Sequence, residues 1–518
     1  MRLRFGLTIL SACLMASPFA AALQQPVRTA SGLVAGTPLP GGVTAFEGIP
    51  FAAPPVGRLR WRPPQPPAAW EGVRQADHFG PSCMQTIPSH RVGPWALEFL
   101  TQSRPSEDCL YLNVWTPAHS AGEKLPVMVW IYGGGFTSGS TDLGIYNGAH
   151  LAQKGVVLVS VSYRVGPLGF LAYPGLTSES AHHSSGNYAL LDQIAGLRWV
   201  RRNIAGFGGD PRRVTIFGQS AGGFSVDLLL QSPLARGLFA RAIIMSGPPA
   251  LQSARMHGYR SLRAAEQAGV QYAAALGVHS LAGLRALPAA RLLTGQEPGG
   301  FSPITDGWVL PVGNRSLAPV PVMNGMVADD IGIGDYGFGP PARSTVAAYR
   351  SAMEKRYGPE ATAYLRLYPA GSDQSVADAR KASARDRARV ALLVWAAAQQ
   401  KRSGRVYTYY FDHLLPWPQH PEFGVFHSSE LPYVFDNLDK LNRPWTATDR
   451  KVAEEMSSYW VNFASTGDPN GQDLPQWPAF RPGDDTTMEL GNRMGPMPVA
   501  TPSQQSFWQS QRRGAGGS

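Results

Sequence analysis

An α/β fold with a mainly parallel central sheet is predicted by three features of the sequence. Leu125 to Tyr132 (LPVMVWIY) and Val156 to Tyr163 (VVLVSVSY) are largely apolar runs of strand length, the pattern of strands buried on both faces of a parallel sheet. Residues 187–205 (NYALLDQIAGLRWVRRNIA) carry apolar side chains at helical spacing. A short apolar strand, Val214 to Phe217, follows, and Phe224 to Leu230 is again helical. Strand and helix thus alternate, which implies an α/β sheet.

Taken in order, residues 1–22 (MRLRFGLTILSACLMASPFAAA) combine a basic start, an apolar stretch too short to span a bilayer and a small-residue site at Ala20–Ala22. They read as an export signal cut near Ala22, which places the mature chain in the periplasm or outside the cell. The rival reading is a lipoprotein box, Leu10-Ser11-Ala12-Cys13, anchored at Cys13; the apolar stretch Leu14 to Ala22 after that cysteine speaks against it. From Phe46 to Gln85 proline follows proline, so the expectation is an ordered but irregular lead-in. Residues 106–115 (SEDCLYLNVW) alternate as a strand does in their second half. Ala242 to Met245 is a further buried strand, and residues 251–300 and 342–402 read as helical insertions over the sheet. Arg405 to Phe411 reads as a late strand and Lys451 to Phe463 as a helix.

The chain has 518 residues, 44% hydrophobic and 16% charged, enough to bury a large core. At roughly 150 residues per domain its length would suggest about three domains, yet no repeat or linker divides it. The expectation is a signal at 1–22, one catalytic domain over 23–512 and a tail at 513–518 without structure. The net charge of +10 falls to +8 once Arg2 and Arg4 are removed, and no dense Lys/Arg run accompanies it. That excludes a nucleic-acid footprint, and no segment beyond the signal reads as a membrane span. Of three cysteines, signal removal leaves Cys83 and Cys109, the even number that a single disulfide requires. Closing a loop of about 25 residues would contribute roughly 3 kcal/mol on the chain-entropy model.

The chemistry centres on Gly218-Gln219-Ser220-Ala221-Gly222, which sits between a strand and a helix. A serine in such a sharp turn has its hydroxyl exposed, and glycines two residues to either side let strand and helix pass. The helix beginning just after Ser220 turns its amides toward developing negative charge. A serine hydroxyl needs a histidine to take its proton and a carboxylate to orient that histidine. In the order Ser, acid, His, the last quarter offers His413, His420 and His427; His427 stands in a loop ahead of a helical turn, where an imidazole projects freely. Asp329 and Asp330 follow the apolar segment Ala318 to Met323, and Asp335 is a third candidate acid. Spacing does not choose among them. The run Gly133 to Gly135 after a buried strand, with Ala221 after the nucleophile, supplies backbone donors for an oxyanion.

Five blocks in order, FEGIPFAAPPVGRLRW (46–61), SEDCLYLNVWTP (106–117), WIYGGGF (130–136), the stretch 187–223 and GVFHSSELPYVF (424–435), resemble the type-B carboxylesterase family across about residues 28–508. The resemblance implies an α/β-hydrolase fold, ester hydrolysis through an acyl-serine, and a small-molecule ester as substrate. It implies no metal and no organic cofactor, and nothing about oligomeric state. It places Ser220 as nucleophile, His427 as general base, the oxyanion hole at Gly134, Gly135 and Ala221, and a bridge between Cys83 and Cys109. The family usually has Asp-Glu-Gly where this chain has Asp329-Asp330-Ile331, so the aligned acid is Asp330, one methylene shorter. It usually has glutamate at the position of Gln219. The missing charge is expected to weaken attraction for cationic substrates. A Gln219→Glu variant should therefore gain kcat/KM on choline-like relative to neutral esters, and an unchanged ratio would refute this. Trp95, in the disulfide loop, reads equally as an entrance residue and as a core residue. A binding protein on the same scaffold, lacking catalysis, is one rival, and a chain that keeps every chemical group of an esterase does not favour it. Amide hydrolysis is the nearer alternative, since His427 could protonate a leaving amine, and matched ester and anilide substrates separate the two.

Overall fold

A computed structural model describes residues 23–249, 259–295, 300–313, 317–330 and 344–515. The export signal, Cys13 and Asp335 lie outside them.

Eleven strands form the main sheet of the described residues. They are β1 (Thr37–Pro38), β2 (Thr44–Pro50), β3 (Tyr111–Thr116), β4 (Leu125–Ile131), β5 (Val157–Val161), β6 (Gly209–Gln219), β7 (Arg241–Met245), β8 (Val322–Val327), β9 (Val406–Phe411), β10 (Thr486–Leu490) and β11 (Gly495–Pro498). Their spatial order is β11-β10-β9-β8-β7-β6-β4-β5-β3-β2-β1. From β5 through β10 every neighbour is parallel, and the strands outside that block are antiparallel. The α/β-hydrolase expectation stands. Two corrections concern the strands. The lead-in is not wholly irregular, because Thr44–Pro50 pairs with β3 through a bulge between Phe46 and Ile49; its proline lies at the strand's end, where no ladder donor is needed. Strand β8 begins at Val322, near the end of the apolar segment Ala318 to Met323 rather than at its start, because Pro319 and Pro321 cannot donate to a central ladder.

Helix α1 (Tyr188–Asn203) follows β5, and α2 (Ala221–Gln231) follows β6. The insertions are helical as expected: α3 (Leu262–Ala275), α4 (Val346–Tyr357), α5 (Ala361–Leu367) and α6 (Asp373–Ser403). Near the end come α7 (Leu431–Val434), α8 (Ala447–Thr466) and α9 (Pro502–Ala515). Helix α9 runs into the stretch expected to lack structure. Phe507 and Trp508 anchor the helix before that stretch, both buried against tyrosines of α4 and α5.

Each central strand is buried on both faces, as its unbroken apolar run requires. Val127, Met128, Val129 and Trp130 on β4 are fully covered, and the Trp130 ring packs against Phe217, Tyr146 and Phe435. Just past β5, Arg164 grips Asp192 of α1, donating from Nε to Oδ2 (2.8 Å) and from Nη2 to Oδ1 (2.7 Å). Burial raises the Asp192 carboxyl's pKa, against the guanidinium, which lowers it; the pair fixes where α1 crosses the sheet. The chain runs from β4 out to β5 and then back past β4 to β6. Strand order therefore reverses at the β4/β6 boundary, and in open α/β sheets the crevice beyond the carboxyl ends of the strands at such a point is where ligands bind. Cys83 and Cys109 form the disulfide.

Candidate active site

Four loops converge beyond the carboxyl ends of β4, β6, β8 and β9. Ser220 joins β6 to α2 with φ 58° and ψ −124°, the strained left-handed turn that the glycine spacing predicts. Its amide is tied to Met245 O on β7 (2.9 Å), and its side chain is only half covered. A Cβ at Gly222 would lie 2.0 Å from Ile131 O, so only glycine lets α2 pass this close to β4. The glycine run after β4 lies directly against the serine. A Cβ built on Gly133 would stand 3.0 Å from Ser220 Cβ, and Gly134 and Gly135 follow with φ of 118° and 63°. The amides of Gly134, Gly135 and Ala221 thus belong to segments that meet at Ser220.

Asp330 and His427 are brought together. His427 Nδ1 is hydrogen-bonded to Asp330 Oδ1 in a place where the side chains are 2% and 0% exposed. An ionised carboxylate only accepts, so Nδ1 carries the proton and Nε2 keeps its lone pair. His427 does not project freely from its loop. Trp95 covers it, donating its indole N–H to the His427 carbonyl (3.0 Å) and Ser428 Oγ (3.4 Å), with its ring edge-on to the imidazole at 6.1 Å. The half-buried Trp95 is therefore both wall and clamp, and it couples the disulfide loop to the histidine. Ser220 and His427 are not hydrogen-bonded to each other among the described contacts. Such bonds are often long until substrate binds.

Gln219 stands over the imidazole, its amide nitrogen 3.2 Å from Nε2 and 3.4 Å from Nδ1. A donor in line with the Nε2 lone pair would lie about 5 Å from Nδ1. The amide therefore rests on the ring and does not lie in the direction of the Nε2 lone pair.

The other candidates have different tasks. His413 is buried between Asn492 Oδ1 and Asp449 Oδ1, each at 2.8 Å, and Tyr433 also donates to Asp449. That is a structural hub. His420 pairs with Glu422 at the surface. Asp329 faces away from the imidazole, toward Arg385 and the amide of Val425.

Two residues of the site were not singled out from sequence. Arg385 lies in a helix with charges at several turns, so nothing marks one arginine among them. Glu430 opens α7, where a carboxylate reads as an ordinary helix-start residue. It is in fact fully buried, and neither carboxyl oxygen has a hydrogen-bond partner among the described residues. Burial, and secondly the charge of Asp330, push its pKa up to about 8. Near neutrality Glu430 is therefore uncharged and adds no negative charge beside Asp330 and His427.

This shift sets a stability slope. Below pH 4.5, the ordinary value, Glu430 is protonated in the folded and unfolded chains alike and contributes no difference. Between there and about pH 8 the folded chain holds a proton that the unfolded chain releases, so stability falls as pH rises. Glu430→Gln removes the titration. Its urea midpoint is expected to gain on the wild type steadily between pH 5 and pH 8.5, and parallel curves would refute the assignment.

The family model described as Carboxylesterase family matches residues 24–508. The chain is 40% identical over 507 residues to the fumonisin B1 esterase of Sphingopyxis macrogoltabida, covering 93% of this chain and 89% of that protein. It is 36% identical over 485 residues to the para-nitrobenzyl esterase of Bacillus subtilis (strain 168), covering 88% and 92%. To the human cocaine esterase it is 35% identical over 468 residues, covering 85% and 82%.

Proposed function

Because this chain belongs to the carboxylesterase family and hydrolyses carboxylic esters, we propose that it does so with Ser220 as nucleophile, His427 as general base and Asp330 as the carboxylate that orients the histidine. Ser220 Oγ attacks the ester carbonyl carbon as its proton passes to His427 Nε2. The carbonyl π pair moves onto oxygen, where the amides of Gly134, Gly135 and Ala221 receive the charge. Collapse of this intermediate expels the alcohol oxygen, which takes the proton from Nε2 and leaves an acyl-serine. Water then gives a proton to Nε2 and attacks the acyl carbon. The second collapse returns the proton to Ser220 Oγ and releases the acid. Asp330 stays ionised throughout and stabilises the imidazolium formed in each half.

The observation that carries this reading is the closed His427–Asp330 contact at the same sheet end as a serine held at φ 58°. Small-molecule esters are the substrate class, as the names of the fumonisin B1, cocaine and para-nitrobenzyl esterases suggest for those relatives. The disulfide supports export to the periplasm or beyond, since such bonds persist in oxidising compartments. No helix of the described residues is long and apolar enough to cross a membrane.

A fluorophosphonate probe followed by peptide mass spectrometry tests the assignment. One adduct per chain on the peptide containing Ser220, with parallel loss of p-nitrophenyl ester turnover, is the expected result. Turnover that persists in fully labelled enzyme would overturn it. Rates on p-nitrophenyl esters from acetyl to palmitoyl would then define the acyl preference.

A further inference from the structure

The acid and the histidine of the site lie on separate loops, after β8 and after β9, and one carboxylate stitches those loops together. Asp329 donates its amide to Val425 O (2.9 Å) and accepts the Val425 amide on Oδ2 (3.0 Å). It also bridges to Phe426, the residue before His427. The fit is close at Gly424, where a Cβ would meet Asp329 Oδ2 at 2.2 Å. The other oxygen, Oδ1, receives Arg385 Nη2 (2.6 Å) and Nε (3.2 Å) from α6.

We propose that Arg385 is a positioning residue for ester hydrolysis: by holding Asp329 Oδ1 it keeps Oδ2 on the Val425 amide, and so keeps the Asp330 loop and the His427 loop in register. The inference rests on the assignment of Asp330 and His427 as the catalytic pair. An ordinary partly exposed ion pair contributes little to stability, and the Arg385 side chain is 35% exposed. What sets this pair apart is that its carboxylate is also the hydrogen-bond acceptor for the histidine loop. A misplacement of the base of about 1 Å is enough to lower turnover by as much as 100-fold. The groups facing Arg385 are Asp329, Tyr410 and Asp412. Those facing the Asp330–His427 pair are Glu430, Gln219 and Tyr409. Without the guanidinium, Asp329 would lack its cation while still bonded to the loop that carries His427.

The test uses Arg385→Gln, Arg385→Lys, Asp329→Asn and the Arg385→Gln/Asp329→Asn double variant of the full chain, with kcat and KM on p-nitrophenyl butyrate across pH. Arg385→Gln is expected to lose about tenfold in kcat with KM within about twofold, and the acid limb of its kcat/KM profile should move to higher pH. Arg385→Lys, which can still place a cation on Oδ1, should recover most of the rate. The double variant should be no slower than the slower single variant, because paired residues are not additive, and its acid limb should return toward that of the wild type. Additive losses, or a wild-type kcat and pH profile in Arg385→Gln, would overturn the clamp while an inactive Asp330→Asn leaves the triad standing. An active Asp330→Asn would overturn the triad and the clamp with it. If Arg385→Gln does not fold, Asp329→Asn decides: a wild-type kcat and pH profile in that variant refutes the proposal.

Discussion

Ser220→Ala is expected to lower kcat/KM on p-nitrophenyl butyrate by at least about 10,000-fold, to abolish fluorophosphonate labelling, and to leave the folded chain intact. The size of the loss follows from what remains. The amides of Gly134, Gly135 and Ala221 and the His427–Asp330 pair would still bind and polarise an ester, but with no atom to form the acyl intermediate. In comparable triads such remnants retain a rate about 1,000-fold above that in water. Ser246, just past the end of β7, is fully buried and does not offer itself as a substitute. Stability should change little, because alanine at φ 58° suffers the same backbone strain as serine and the amide bond to Met245 O is kept. Stopped-flow measurement gives the sharper readout: the wild type should release a burst of p-nitrophenol if deacylation limits turnover, and the variant should give none. A variant that keeps more than about one hundredth of wild-type activity would point to another nucleophile.

How much of this was legible in sequence depends on how local the signal is. The buried strands announce themselves because a parallel sheet covered on both faces needs unbroken apolar runs, and Val127–Ile131 and Val157–Val161 provide them. The elbow is local too, since five consecutive residues between a strand and a helix fix the backbone of Ser220. Strand β2 was hidden because its pairing with β3 is long-range and its surroundings are rich in proline, which reads as irregular chain. The histidine is harder still. Its loop and the block GVFHSSELPYVF set His427 apart from His413, but the physical difference lies in which carboxylate the fold brings to each ring, Asp330 or Asp449. Glu430 and Arg385 could not be read at all. The first is ordinary at a helix start until burial removes its water, and the second is one of several arginines until Asp329 turns toward it.

Asp330→Asn is expected to cost about 10,000-fold in kcat with little change in KM, whereas Asp329→Asn should cost about tenfold. The two carboxylates are neighbours in sequence, and only their directions separate them. Asp330 Oδ1 takes the proton on His427 Nδ1; an asparagine there can present its amide nitrogen to the ring, which favours the tautomer with the proton on Nε2, where the base can no longer accept from serine. Asp329 never touches the imidazole, so its loss is felt only through the loops it joins. A third substitution addresses the departure from the family's usual glutamate. Asp330→Glu keeps the charge but adds a methylene where the side chain has no exposed surface and Glu430 lies close by. A packed site accommodates an added methylene only by moving its neighbours, at a cost of about 1–3 kcal/mol, and the neighbour here is His427, the proposed base. Asp330→Glu should therefore be slower than wild type by about tenfold or more, despite restoring the commoner residue. Equal rates for the aspartate and glutamate enzymes would mean that the loop after β8 yields by a methylene's length without moving His427, and the register held through Asp329 and Arg385 would then be looser than these contacts imply.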